Sequence, residues 1–484
     1  MTHPSLFLQR LRLHAARAPD HAAIATPDST MGYGELVDRV EACARSLDAQ
    51  GVARGEIAGV TVRNETQHLV TSLALLAIGI PQVSVGTHEP MPMRARLAAR
   101  IGVTRIVATT GEDRIDGLLY AEVNGADPSS AARAIPFHGD AEGPAIYLTG
   151  SGTTGEPKVV AMSERQLVLQ AQRGYRDYGR ERVLRLASVE HNNSKRLRLY
   201  ALWQGGTSVL RGAAVVNIPR LCERLAVSWL EVATYHLEDL VRSAPEARRL
   251  PAHTAVRCGG ARVPHKLRLA VQAEVTAALH VSYGTTETGG VCLSFPHEQH
   301  DPDEPVGRPL AGVDVEVVDT ERRLVADGTI GEIRIRAPGM VTGYVGDAVA
   351  TQRHFAGGWF YPGDLVRRLP GGAICIQGRI DDMMILNGIN IFPAEVERVL
   401  ESMPGVRHAA CFALHSEVHG DIPVAAVEVA TTDAPDADAI TRWARERLGV
   451  RAPRRVVVVG ALPRNPQGKV SRRELTALVA TGDR

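Results

Sequence analysis

From Tyr33 onward the chain alternates helix-patterned segments with short β-rich runs, and this alternation most narrows what it can fold into. A helical stretch from Tyr33 to Gln50 is followed by EIAGVTV, and RIVATT and AIYLT come later, with the pattern running to about residue 220. Short apolar strands separated by helices suit a parallel sheet, because parallel neighbours need a crossover that covers one face. After about Asp303 the pattern changes to Gly-punctuated strands, VDVEVVD, GEIRIRAPG and AICIQG, as in a mostly antiparallel β subdomain. Near Gly378 a third pattern begins. RIDDMMILNGINIFP leads into a helix over Ala394–Glu401, two strand-like runs, a helix over Ala437–Leu448, the strand RRVVVVG and a basic terminal helix. The sequence thus predicts an α/β chain. A large N-terminal domain, residues 1–380, contains βαβ subdomains and a β-rich subdomain, and a small α+β domain spans residues 381–484.

Composition excludes several function classes. With 484 residues and 44% hydrophobic content the chain exceeds the roughly 250–300 residues at which one core stops growing, so several domains are expected. Lys and Arg number 55 against 54 Asp and Glu, without long runs of either sign, which removes the electrostatic footprint of a nucleic-acid binder. The 6 cysteines form no CxxC, which argues against a disulfide scaffold or zinc site and predicts a cytoplasmic setting. At the N-terminus Arg10, Arg12 and His14 interrupt the apolar residues, so an amphipathic helix is expected rather than a secretion leader. The longest apolar run, Leu69 to Pro81, is too short to cross roughly 30 Å of hydrocarbon and predicts a buried helix, with no membrane partner.

Five segments carry chemistry. In Tyr147–Lys158, YLTGSGTTGEPK, a β-run enters a loop whose glycines admit an anion to the backbone. Its hydroxyls donate to phosphate oxygens, and Lys158 supplies a mobile charge. It is not a Walker A loop, which would need lysine where Glu156 stands. In VSYGTTETGG, Glu287 follows hydroxyl residues and is a candidate ligand for a hard cation such as Mg²⁺. WFYPGDLVRR offers Asp364 and GRIDDMMILNGINIFPAEVE offers Arg379; a carboxylate beyond a Gly turn can accept from a ribose diol, and an arginine can reach the sugar or a phosphate. LPRNPQGKVSRREL puts Lys469 on a Pro/Gly loop. Two histidine clusters, His297 and His300 with Asp301 and Asp303, and His415 with His419, read as surface turns rather than metal sites.

In this order the segments resemble the adenylate-forming superfamily of acyl- and aryl-CoA synthetases, luciferases and peptide-synthetase adenylation domains, and most resemble stand-alone acyl/aryl-CoA ligases. The likeness covers nearly the whole chain, through Ser151–Lys158, Tyr283–Glu287, Gly331–Tyr344, Pro362–Asp364, GRIDD and Pro463–Lys469. It implies a mobile C-terminal domain hinged at Asp381. It also implies two half-reactions: a carboxylate attacks the α-phosphate of Mg·ATP to give an acyl-adenylate and pyrophosphate, and a thiol then displaces AMP. Carried over, Ser151, Gly152, Thr153, Thr154, Gly155 and Lys158 would hold the β- and γ-phosphates, Thr286 the α-phosphate and Glu287 the Mg²⁺. Gly259 and Gly260 would flank adenine, and Asp364 and Arg379 the ribose. Lys469 would bridge the carboxylate and α-phosphate during adenylation, and Gly388 would line the acceptor channel after domain rotation. His191, Asn192, Tyr283 and Gly284 would belong to the acid site.

Departures from the family pattern at Val159 and Pro362 remove no charge, whereas HNNSKR, after His191, makes the expected acyl-pocket helix polar. Two readings stand. Lys195 and Arg196 can both point to solvent. Alternatively Lys195, four residues after His191, shares its helix face and meets a polar or anionic substrate group, while Arg196 faces elsewhere. Asn192 stands where peptide-synthetase domains usually place Asp for the substrate ammonium, which disfavours α-amino acids. The expected activity is ATP-dependent activation of a small polar acid, aromatic acids included, followed by transfer to CoA. The alternative acceptors are a carrier-protein phosphopantetheine, an amine or another nucleophile, or the activated acid is itself unconventional. A nucleotide sensor without catalysis would need neither Glu287 nor Lys469. The expected cofactors are ATP and Mg²⁺.

Overall fold

The computed structural model describes residues 4–123, 137–150, 158–173, 181–212, 217–243, 249–387, 389–416, 420–430, 434–464 and 470–481, without the side chains of Glu112, Asn192, Asn193, Ala480 and Thr481. Six strands form one sheet: β3 (Ala58–Thr61), β4 (Gln82–Ser84), β5 (Arg105–Ala108), β6 (Leu119–Glu122), β7 (Pro144–Thr149) and β8 (Val159–Ser163). Its order is β6-β5-β3-β4-β7-β8, parallel throughout except for β8.

The second sheet gathers β1 (Ala22–Ala25) and β2 (Thr30–Gly32) with β9 (Arg182–Arg185), β10 (Thr207–Val209), β11 (Trp229–Val232), β12 (Ala255–Gly259), β13 (Leu279–Thr285), β14 (Gly289–Leu293) and β15 (Arg308–Pro309). Its order is β15-β14-β13-β12-β11-β9-β10-β1-β2, with a parallel centre and antiparallel pairs at both ends. Parallel alternation therefore continues through β13, beyond the expected limit near residue 220. The strands after that point are only four to seven residues long, which makes their period weak in the sequence. Glu231 on β11 lies in register between Arg185 of β9 and Arg257 of β12 and pairs with both, a buried ion row across three parallel strands.

The β-rich subdomain is the sheet of β16 (Asp314–Val318), β17 (Ile330–Arg336), β18 (Phe355–Ala356), β19 (Trp359–Phe360), β20 (Asp364–Arg368) and β21 (Ile374–Arg379), whose pairs are antiparallel. A separate sheet, β22 (Met384–Leu386), β23 (Ile389–Ile391), β24 (Val406–Ser416), β25 (Gly420–Val429) and β26 (Arg455–Val459), carries its own buried cluster around Ile391, Val396, Leu400 and Ile440.

Helices α1 (Leu6–Arg17), α2 (Tyr33–Ala49), α3 (Glu65–Ala77), α4 (Met91–Ile101), α5 (Glu164–Gln172) and α6 (Asn192–Gln204) surround the first two sheets. The expected amphipathic helix is α1, burying Phe7, Leu8 and Leu11, and the apolar run at Leu69 is the buried α3. Ser163 starts α5 through a reciprocal capping box with Gln166, and α6 stops at Gly205 in the left-handed conformation (φ 94°). These two helices pack together against β7 and β8, which places α6 beside the loops that follow the strands.

Candidate active site

Three strand ends converge. After β7, Gly150 N–H donates to the Lys158 carbonyl at 2.8 Å, closing the hairpin that leads back into β8. A Cβ built on Gly150 would lie 3.9 Å from the Thr286 hydroxyl, so this turn abuts the one joining β13 to β14. Beside it β12 ends at Gly259, where a Cβ would fall 2.5 Å from Ser282 Oγ, and Gly260 follows at φ 90°, a conformation costly for other residues. Strand-end crevices of this kind are the usual ligand sites of α/β sheets.

Where β8 begins, Lys158 Nζ lies 2.7 Å from His354 Nε2 and 5.0 Å from the centre of the Tyr344 ring. Tyr344 in turn donates its hydroxyl to Glu287 Oε1 at 2.8 Å. Burial, helped by the Glu287 charge, holds the Tyr344 phenol well above its ordinary range, so it remains a donor. Burial also lowers the Lys158 ammonium below its usual value, with Glu287 acting in the opposite direction. Among the described residues no group of three or more His, Cys, Asp or Glu could hold a metal. A lone carboxylate still fits Mg²⁺, which commonly takes one or two protein carboxylates and completes its shell with phosphates and water.

In the β-rich subdomain Asp364 and Arg379 are direct partners in the β20–β21 register and pair at 3.1 Å. Asp364 Oδ2 also accepts from the Tyr283 hydroxyl, and burial with the Asp364 charge raises the Tyr283 phenol well above its ordinary value. Arg379 reaches Asp381 at 3.5 Å, and Arg353 binds the other carboxylate oxygen of Asp381 at 2.7 Å.

The α6 wall departs from both expectations for its cations. Lys195 is fully buried, not solvated, and among the described residues its Nζ makes one long contact, 3.4 Å to Gln82 Oε1 on β4. Gln82 is committed to the Ser72 carbonyl of α3, so the ammonium lies in the α3–β4 packing, and burial pushes its pKa down to about 7. Arg196, expected to face elsewhere, is buried and donates through Nη1 to the Thr286 carbonyl at 2.8 Å. Helical spacing from His191 could not say which of the two cations turns toward the β13–β14 turn, and there it is Arg196 rather than Lys195. His191 starts α6, and its ring lies 5.0 Å from that of His88. His88 contacts Glu190 at 3.3 Å, and Glu190 also accepts from the Thr87 N–H and hydroxyl.

The structure thus brings together Lys158, Thr286, Glu287, Tyr283, Gly284, Gly259, Gly260, Asp364, Arg379 and Asp381 on neighbouring turns and strand ends. Ser151 to Gly155, Gly388, Lys469 and the Asn192 side chain lie outside the described residues. Sequence reasoning missed Arg173, which braces the β13–β14 hairpin by donating to the Gly290 and Pro338 carbonyls, because it stands in no motif. It also missed Arg262, which follows Gly260 and joins Glu304 at 2.6 Å to Glu401 of the last domain at 2.6 Å. Arg398 reinforces that junction at 3.2 Å. Burial opposes ionisation of Glu304, yet the Arg262 and Arg398 guanidiniums hold its carboxyl down at about 2.

Residues 11–345 match the AMP-binding enzyme family, and residues 395–469 match the AMP-binding enzyme C-terminal domain. The chain belongs to the AMP-binding enzyme family. It is 28% identical to a fatty acid–[acyl-carrier-protein] ligase, MmaC, of Mycobacterium marinum, with 98% of each chain covered. It is equally identical, 28% with 98% of each covered, to a sulfoacetate–CoA ligase of Cupriavidus necator. The fold matches that of the amide bond synthetase McbA from Marinactinospora thermotolerans with a TM-score of 0.88 at 24% identity, covering 98% of this chain and 100% of that one. This enzyme is accordingly an AMP-forming ligase that activates an acid with ATP and passes it to a nucleophile.

Proposed function

We propose that the enzyme activates a small polar carboxylic acid, aromatic acids included, as its adenylate and transfers it to CoA. The observation that carries this reading is the buried guanidinium of Arg196 on the Thr286 carbonyl. If Thr286 holds the α-phosphate, the acid carboxylate must approach the same turn, and its substituents meet Arg196. A buried cation is a poor neighbour for a fatty chain and a good one for a second oxyanion or hydrogen-bonding group. The likeness to a sulfoacetate–CoA ligase, whose named substrate carries two acidic groups, supports that preference.

In this reading Lys158, with Ser151 to Gly155, takes the β- and γ-phosphates and Glu287 takes Mg²⁺, which would neutralise the charge of the departing pyrophosphate. Asp364 and Arg379 take the ribose, while Gly259 and Gly260 take the adenine. His191, Asn192, Tyr283 and Gly284 border the acid. Residues 1–380 and 381–484 act as two domains hinged at Asp381, with Lys469 brought in for adenylation and then withdrawn as Gly388 comes to the acceptor channel. The acceptor is CoA; the fold it shares with an amide bond synthetase keeps an amine acceptor as the alternative to test, beside a carrier protein. All six cysteines are free and buried, which suits the proposed cytoplasmic setting; among the described residues no helix is long and apolar enough to cross a membrane.

The test is acid-dependent pyrophosphate release over a panel of acids graded in length and charge, with and without CoA, and with products identified by mass. Short acids bearing a second polar or anionic group should lead; a long-chain fatty acid as best substrate would reject the reading. With the best acid, Lys469→Ala should slow adenylation by roughly 10²–10³, the scale for losing one transition-state charge partner. Transfer from supplied acyl-adenylate should stay near the parent rate, and equal losses in both steps would reject the alternating use of the last domain.

A further inference from the structure

His354 ends the helix Ala348–His354 and belongs to none of the segments that define the family. It is buried, and its Nδ1 lies 2.7 Å from the Tyr361 carbonyl. A carbonyl can only accept, so Nδ1 carries the proton. The neutral ring therefore presents a lone pair at Nε2, and the partner 2.7 Å from that lone pair is the Lys158 ammonium. A protonated ring would set two cations against each other at that distance. Burial first, and the Lys158 charge besides, shift His354 toward the neutral form.

The second contact of Lys158 is the face of Tyr344, 5.0 Å from Nζ, and that ring is anchored at its hydroxyl by Glu287. Among the described residues the ammonium thus rests on two uncharged holders, an imidazole lone pair and an aromatic face. The other charges that act on this pair, Glu287, Asp381, Arg353 and Arg379, exert their influence without pairing directly to Lys158. A carboxylate in the place of His354 would hold the lysine as firmly but would cancel the charge that an incoming phosphate needs.

We propose that His354 is a positioning residue that holds Lys158 in place through a neutral acceptor, so that its whole charge stays available to the polyphosphate of ATP. This rests on the reading that Lys158 meets the β- and γ-phosphates. A group acting through those phosphates affects ATP and leaves AMP, which lacks them, alone.

The experiment is calorimetric titration of the full-length protein with ATP and, separately, with AMP, for the parent, His354→Ala, His354→Gln, His354→Glu and Lys158→Ala, with melting temperatures recorded for each. His354→Ala should weaken ATP by about tenfold, the scale of one hydrogen bond to a charged group, and AMP by less than about twofold. His354→Gln, which restores a neutral acceptor, should recover most of that loss. His354→Glu should bind ATP no better than His354→Ala, because it tethers the lysine while neutralising it. The proposal is overturned if His354→Ala binds ATP like the parent, if ATP and AMP weaken together, or if Glu serves as well as Gln. If Lys158→Ala spares ATP, the phosphate role of Lys158 itself is wrong; if it weakens ATP selectively while His354→Ala does not, only the role of His354 fails.

Discussion

Lys195 and Arg196 are adjacent in sequence, both cationic and both buried, yet they belong to different parts of the protein. One residue of helix turns a side chain by about 100°. On one face of α6 the Lys195 ammonium enters the packing between α3 and β4, where it meets Gln82 and its charge is felt by the neutral His68. On the next face the Arg196 guanidinium reaches the turn between β13 and β14. The first surface is closed by helix and strand; the second borders the junction where three strand ends meet. Burial of charge alone therefore does not mark a substrate contact. What separates the two is the element each cation is buried against.

The strongest way to break this contrast is at Arg196. Arg196→Met should cost roughly 2–5 kcal/mol in kcat/KM for the acid, as for removal of one partner of a desolvated charge pair. KM for ATP should move far less. An equal loss toward both substrates would make Arg196 a prop for the Thr286 turn and nothing more. A panel repeated on this variant should also lose its preference for acids with a second oxyanion.

Lys195→Met sharpens the contrast from the other side. Turnover should stay within about threefold of the parent, while replacing a poorly partnered buried charge with an apolar chain should stabilise the fold by roughly 1–4 kcal/mol near neutral pH. The sign with pH follows from the depressed value of about 7 against an ordinary 10.5. Between those limits the unfolded chain binds the extra proton, so the parent gains stability as pH rises and loses it as pH falls through about 7. The advantage of Lys195→Met in melting temperature should thus shrink from pH 7 to pH 10. A constant advantage would mean that Lys195 is not desolvated.

The smallest effect concerns His68, whose Nδ1 faces the Val62 carbonyl at 2.9 Å and whose Nε2 faces Ser84 Oγ at 3.2 Å. Burial, and then the Lys195 charge, lower it from 6.5 to about 3. Stability that it contributes is complete above pH 6.5 and is lost as pH falls toward 3. Removing the Lys195 charge should let His68 protonate more easily in the folded state, so acid unfolding of Lys195→Met should be slightly shallower between those values. An unchanged acid limb would separate the two groups.

Much of this enzyme is legible in its sequence because the relevant physics is local. Strand and helix periods predicted α2, β3, β5 and β7, the apolar run from Leu69 predicted α3, and the loop compositions at Tyr147–Lys158 and Val281–Gly290 singled out the segments after β7 and between β13 and β14 as a candidate phosphate site. The order of motifs also identified the family, since each motif keeps its chemistry within a short stretch. Only the tertiary structure decided which of two adjacent cations borders that site, that His354 supports Lys158 across 196 positions of chain, and that Arg262 ties the Gly260 turn to the last domain. Those contacts depend on how helices rotate against sheets and how separate domains meet. A linear pattern carries the period of each element but not the angle at which it packs against another.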